Sequence, residues 1–155
     1  MNPGVGPPAT TSNLPDPDGT WRAEMGRRSR SARTVLVRHP WALALLETRT
    51  SPGPATLRHH DTVLATLRSA GFSLALTAHA YAIIDAFVYG FALQEVSLPF
   101  DDSGSANDVA ESMLASFPTN AYPSMIEFAT EHILRPDYSF GDSFDFGLED
   151  RKSVV

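Results

Sequence analysis

Apolar residues in this chain recur at helical spacing, and nowhere do they alternate strongly enough to mark a half-buried strand. Trp21, Met25, Ala32, Val35 and Leu36 mark a helix over about residues 20–38, with Thr20 or Asp18 placed to cap it. Pro40 suits the first turn of a second helix, over about 40–49. Ser51-Pro52-Gly53-Pro54 breaks the chain. A third helix follows over about 54–70, with Leu57, Val63, Leu64 and Leu67 as its apolar positions and Gly71 as its stop. Ser73 then caps the longest element, which runs to about Val96. Its string, "LALTAHAYAIIDAFVYGFALQEV", is apolar nearly all round, which predicts a helix buried on several sides with one face free to meet another chain. Two more helices are predicted over about 107–117, capped by Asn107, and over about 121–134, stopped by Arg135-Pro136. A final one carries Phe140, Phe144, Phe146 and Leu148 before "EDRKSVV" ends the pattern. There is no internal repeat and no heptad seam, so the reading is all-α.

Composition changes this picture only at the edges. Residues 1–18 are rich in Pro, Gly, Ser, Thr and Asn and read as a disordered leader, and 150–155 as a disordered tail, leaving one domain over 19–149 of the 155 residues. The leader has neither the basic nor the apolar stretch of a secretory signal, and no apolar run reaches the length that spans a bilayer. With no cysteine, disulfides, thiolate metal sites and a cysteine nucleophile are excluded. The net charge of -6 is unevenly spread: Arg22, Arg27, Arg28, Arg30, Arg33 and Arg38 crowd the first helix, and Arg135 is the only Lys or Arg from Asp101 to Asp150. The arginine run reads as a solvated helix face, because an acidic chain repels phosphate and no motif places these residues in a groove.

Two clusters invite chemistry. His59, His60 and Asp61 are contiguous, so on a helix they point about 100° apart and share no face, whereas helical metal ligands stand three or four residues apart. A metal site would need His39, His79 or His132 to approach. Polar contacts at the start of the third helix are the favoured reading, with a small helical metalloenzyme as a minority one. In the fourth helix, Tyr81 and Asp85 are one turn apart and fit a hydrogen-bonded pair, because a carboxylate in so apolar a helix needs a partner. The pair serves a core, an interface or a ligand. No nucleophile elbow, phosphate loop or H-E-x-x-H motif is present, so the chain reads as no enzyme.

An ordered set of cues crosses these segments: His39-Pro40-Trp41, Pro52-Gly53-Pro54, Gly71-Phe72-Ser73, His79-Ala80-Tyr81, Asp85, Gly90 and Leu93-Gln94-Glu95, then "FPTNAYPSMIEFATEHIL" and "FDFGLE". Over residues 19–149 the chain resembles the C-terminal regulatory domain of the tetracycline-repressor family, in its actinobacterial branch. The resemblance implies an orthogonal and antiparallel helical bundle that forms a cytoplasmic homodimer, binds a small-molecule effector and represses transcription. Ligand-lining residues would be Trp41, Leu45 and Arg49 on the short helix, His60, Leu64 and Leu67 on the next wall, and Tyr81, Asp85 and Tyr89 on the fourth helix. Phe87, Phe91 and Gln94 would serve dimerisation. The tetracycline repressor engages a magnesium-chelated drug through a histidine where this sequence has Leu45, so no tetracycline–magnesium binding, no metal and no cofactor are expected.

The sequence departs from the family at both ends. Nothing before Trp21 has a helix-turn-helix pattern, so DNA would be met only through a head absent from this chain, and the closing helix stops soon after Leu148. The expectation is a fragment of a regulator. The alternative is a stand-alone helical adaptor that dimerises with full-length relatives.

Overall fold

The computed structural model describes residues 20–48, 52–100 and 103–150. Among them there are seven α-helices and no strand: α1 (Trp21–Arg38), α2 (Trp41–Thr48), α3 (Pro54–Ser69), α4 (Leu74–Val96), α5 (Ser103–Ser116), α6 (Pro123–Phe128) and α7 (Asp142–Asp150). The fold class is all-α, as the periodicity predicts. The predicted leader (1–18) and most of the predicted tail lie outside the described residues.

The helix ends are written in local chemistry. Thr20 caps α1, its hydroxyl accepting from the Ala23 N–H. Ser73 caps α4 in the same way, accepting from the Leu76 N–H at 3.1 Å. Between α3 and α4 the chain makes a Schellman turn: Gly71 adopts φ +92°, its N–H donates to the Arg68 carbonyl, and the Phe72 N–H reaches back to Leu67. Phe72 and Leu67 also share the core, which supplies the apolar contact this motif favours. The turn therefore fixes where α4 leaves α3. Asn107 is not a cap: α5 begins four residues earlier, at Ser103, and Asn107 lies inside it.

The chain divides into two compact units, residues 1–92 and 93–155. In the first, Met25 of α1, Val63 and Leu67 of α3, Phe72 of the turn and Ala80 of α4 form a buried cluster. Trp21, Tyr81 and Ile84 pack against it, Trp21 edge-on to Phe72 at 4.9 Å between ring centres.

Two expectations about α4 need correcting. It is not buried on several sides. Thr77, Ala80, Val88 and Ala92 are buried, while Leu74, Leu76, Ile83, Tyr89 and Leu93 are exposed. A helix that is apolar all round has a mean hydropathy, not a moment, and composition alone does not say which part of it this chain covers. Nor is every segment too short to cross a bilayer: by length and composition α4, with 23 residues and a mean hydropathy of 1.4, is long and apolar enough. Interruptions by Thr77, His79, Tyr81 and Asp85 hide this from a search for an unbroken apolar run.

In the second unit, α5 packs on a π-helical turn, Ala129–Ile133, that continues α6. Ala106, Ala110, Ala129, Phe144 and Leu148 are its buried apolar residues. The single helix predicted over 121–134 is thus two segments, because the backbone widens to i→i+5 bonding at Leu134, which donates to the Ala129 carbonyl. Phe128, His132 and Tyr138 stack in series beside it, at 5.5 and 5.4 Å.

Candidate functional site: a polar junction beside a cleft

The apolar cluster of the first unit gives way, one turn along the same three helices, to a charged junction. Arg28 stands three residues after Met25 on α1, so helical periodicity carries it onto the face that meets α3 and α4. It is buried, with 6% exposure. Its Nη1 donates to Asp85 Oδ1 of α4 at 3.1 Å, and its Nε donates to His59 Nε2 of α3 at 2.8 Å. Tyr81 stands one turn before Asp85 on α4, and its hydroxyl meets Nδ1 of His60. Five side chains from three helices thus satisfy one another, as partly buried polar groups must.

The electrostatics follow from that arrangement. Burial, then the Arg28 guanidinium and His60, lower the pKa of His59 from its usual 6.5, so the ring is neutral, as its role as acceptor for Arg28 requires. Burial and the Asp85 carboxylate push the Tyr81 phenol far above its ordinary range, and the same two causes raise Tyr89. Both tyrosines stay protonated and able to donate.

Beside the junction lies an open cleft of about 290 Å³, lined by Arg28, Ser31, Ala32, Val35, Leu36, His59 and Tyr89. Of the nine residues predicted to line a pocket, the structure places Tyr89 on this cleft and joins His60, Tyr81 and Asp85 in the adjoining junction. Leu67 is fully buried in the apolar core, and Leu64, on the same helix, is exposed. Trp41 is 64% exposed and touches the ring of His39. Arg49 and the side chain of Leu45 lie outside the described residues. Of the residues predicted for dimerisation, Phe87 and Phe91 are half-buried with ring centres 5.9 Å apart, Arg33 lies over Phe91, and Gln94 is exposed.

Arg28 is the residue that sequence reasoning missed. Among the described residues, no three His, Asp or Glu side chains are grouped to hold a metal ion, and His59 and His60 turn instead to Arg28 and Tyr81.

The first unit is thus all-helical, with a cleft beside a buried ion pair. The chain belongs to the family described as tetracyclin repressor-like, C-terminal domain, which matches residues 14–150. It is 28% identical over 139 residues to the HTH-type transcriptional repressor DrrR1 of Streptomyces coeruleorubidus, covering 85% of this chain and 50% of that protein. It is 35% identical over 97 residues to an HTH-type transcriptional regulator of Saccharopolyspora erythraea, covering 62% and 41%. The chain therefore spans about half the length of these relatives. The fold is shared with a possible TetR family transcriptional regulator from Streptomyces coelicolor A3(2), at a TM-score of 0.65 and 24% identity over 90% of this chain and 68% of that one. The TetR family protein ActR of Streptomyces coelicolor, in complex with actinorhodin, superposes equally well, at 0.65 and 22% identity over 88% and 64%.

Proposed function

We propose that this chain is the effector-sensing and dimerising part of a cytoplasmic transcriptional repressor, and not an enzyme. The observation that carries the reading is the Arg28–Asp85–His59 junction, which ties α1, α3 and α4 together at the edge of the cleft. A ligand in that cleft touches Arg28 and His59 directly, so it can favour one packing of the three helices over another, and the coupling is reciprocal. Operator contact is assigned to a helix-turn-helix outside residues 14–150. The actinorhodin bound by ActR supports ligand binding in this fold.

The exposed apolar surface of α4 supports pairing with a second copy. Leu76 and Ile83, seven residues apart, lie on one side of the helix, and both are nearly half exposed. That reading explains a helix of bilayer-crossing hydropathy whose Asp85 is nonetheless ion-paired to another helix of the chain. Sedimentation velocity across a concentration range tests it. We expect a reversible dimer that Ile83→Asp and Phe87→Asp weaken, because each carries a charge into a desolvated face. A folded monomer at every concentration would remove the dimerisation half of the proposal. Mixing with a full-length relative separates the adaptor alternative, which requires the hetero-pair to outcompete the homodimer.

A further inference from the structure

Glu24 is an unusual residue for the buried side of α1. Glutamate is rarely buried, and this one is 8% exposed. Its Oε2 accepts from Arg27 Nη2 at 2.6 Å, but the Arg27 side chain is 43% exposed. Glu24 thus gives up hydration for a pair whose other half stays in water, where such pairs are weak. A second relation explains its place. Glu24 stands four residues before Arg28, and on a helix that spacing makes side chains neighbours, with the acid first as the favourable order. Arg28 therefore lies between two carboxylates: Asp85 of α4, which it holds at 3.1 Å, and Glu24 of its own helix. The two compete on similar terms, because their side chains are 18% and 10% exposed.

We propose that Arg28 is a two-position latch: it bridges α1 to α4 through Asp85 in one position and folds back along α1 onto Glu24 in the other. The structure holds the first position. To reach the second, Arg28 leaves Asp85 and His59 together, and Arg27 yields Glu24 to it. Arg27 loses little, since water takes it back. His59, relieved of the guanidinium, gains a proton more readily beside the Asp85 carboxylate, so that charge is not left alone. Each position answers the buried charges, which is what a discrete switch requires. The first ties α1 to α4, and the second removes that ion pair from the helix whose exposed Leu76 and Ile83 support pairing with a second copy. Arg28 and His59 line the cleft, so a molecule seated there favours one position and carries the choice to α4. This regulatory role rests on the effector-sensing reading. The latch itself is tested without ligand, so its failure leaves that reading standing.

NMR titration of the His59 ring in the full 155-residue chain decides it, because the two pictures differ in sign. Arg28 lowers the pKa of His59 and Asp85 raises it. In Asp85→Asn a latch turns Arg28 to Glu24, its lowering influence goes, and the His59 pKa rises toward 6.5. An Arg28 with one position stays on His59, the raising influence of Asp85 is lost, and the pKa falls further. Adding Glu24→Gln removes the second seat and is expected to return Arg28 to His59, with a pKa below that of the single variant. A single variant whose pKa does not rise, or a double variant whose pKa is no lower than the single's, overturns the latch. Glu24→Gln alone leaves the junction intact and serves if Asp85→Asn does not fold. With its second seat gone, Arg28 should stay closed, and its Nε–H is expected to exchange with water at least about threefold more slowly than in the parent. Exchange as fast as in the parent would equally overturn the latch.

Discussion

Two ends of one helical packing differ in kind. Around Met25, Val63, Leu67, Phe72 and Ala80, helices α1, α3 and α4 meet in an apolar cluster. One turn away the same three helices meet through Arg28, His59 and Asp85. The dry end gains stability from burial that is indifferent to direction. The polar end gains little net stability, since each charge gives up hydration on leaving water, but it fixes which atoms face which. Under the effector-sensing function proposed above, the domain has reason to keep the two apart. The cleft opens beside the polar end, where hydrogen bonds can be rearranged without breaking into a packed core.

Mutations on either side sharpen that contrast. Leu67→Ala empties the centre of the dry end, where no surface is left exposed, and should cost about 3–4 kcal/mol in urea unfolding. A loss under about 1 kcal/mol would mean that the cluster collapses easily around the gap and is not the anchor of the unit. At the polar end, Arg28→Met should cost about 3 kcal/mol by leaving Asp85 partly buried and unpaired. The double variant Arg28→Met with Asp85→Leu should recover most of that loss, because both charges go together. Leu67→Ala has no such rescue. If the double variant is as unstable as the single, the junction holds the fold in the same way as the core, and the contrast fails. A smaller effect tests the turn that joins the two ends: Gly71→Ala forces a side chain into φ +92°, and should cost about 1 kcal/mol in urea unfolding.

The sequence makes the dry end readable and only half of the polar one. Val63 and Leu67 stand one turn apart and Gly71 closes their helix, so α3 and its exit turn follow from spacing and backbone chemistry. Tyr81 and Asp85 are conspicuous because a carboxylate in so apolar a helix demands a partner. The partner itself is hidden. Arg28 sits among arginines that look like a solvated face, and nothing in the run separates it from Arg27 or Arg30. The available signal is register: Met25, Ser29 and Leu36 form the buried stripe of α1, and Arg28 falls on that stripe while Arg27 and Arg30 are exposed. The surface of α4 is the converse case. Its hydropathy announces that it must be covered, yet whether by its own chain or another depends on the tertiary arrangement, which no helical period encodes.

The smallest effect discriminates most finely, because it belongs to the polar end alone. His59 accepts a hydrogen bond from Arg28 at 2.8 Å, so protonating it would set two cations face to face. Burial, Arg28 and His60 all lower its pKa from 6.5, and Asp85 opposes them only in part. The folded protein therefore binds this proton less readily than the unfolded chain does. Its contribution to stability is present above 6.5, is lost as the pH falls from there through the folded pKa, and levels off below it. His59→Gln keeps an acceptor for Arg28 and removes the titration. Between about pH 6.5 and 5 the parent should lose more stability than His59→Gln, by well under about 1 kcal/mol once solvent screening is allowed for. Carboxylates elsewhere titrate in both proteins and cancel in the difference. Parallel pH profiles would mean that His59 keeps its proton equilibrium on folding, and the junction would then be a loose surface contact instead of a desolvated one.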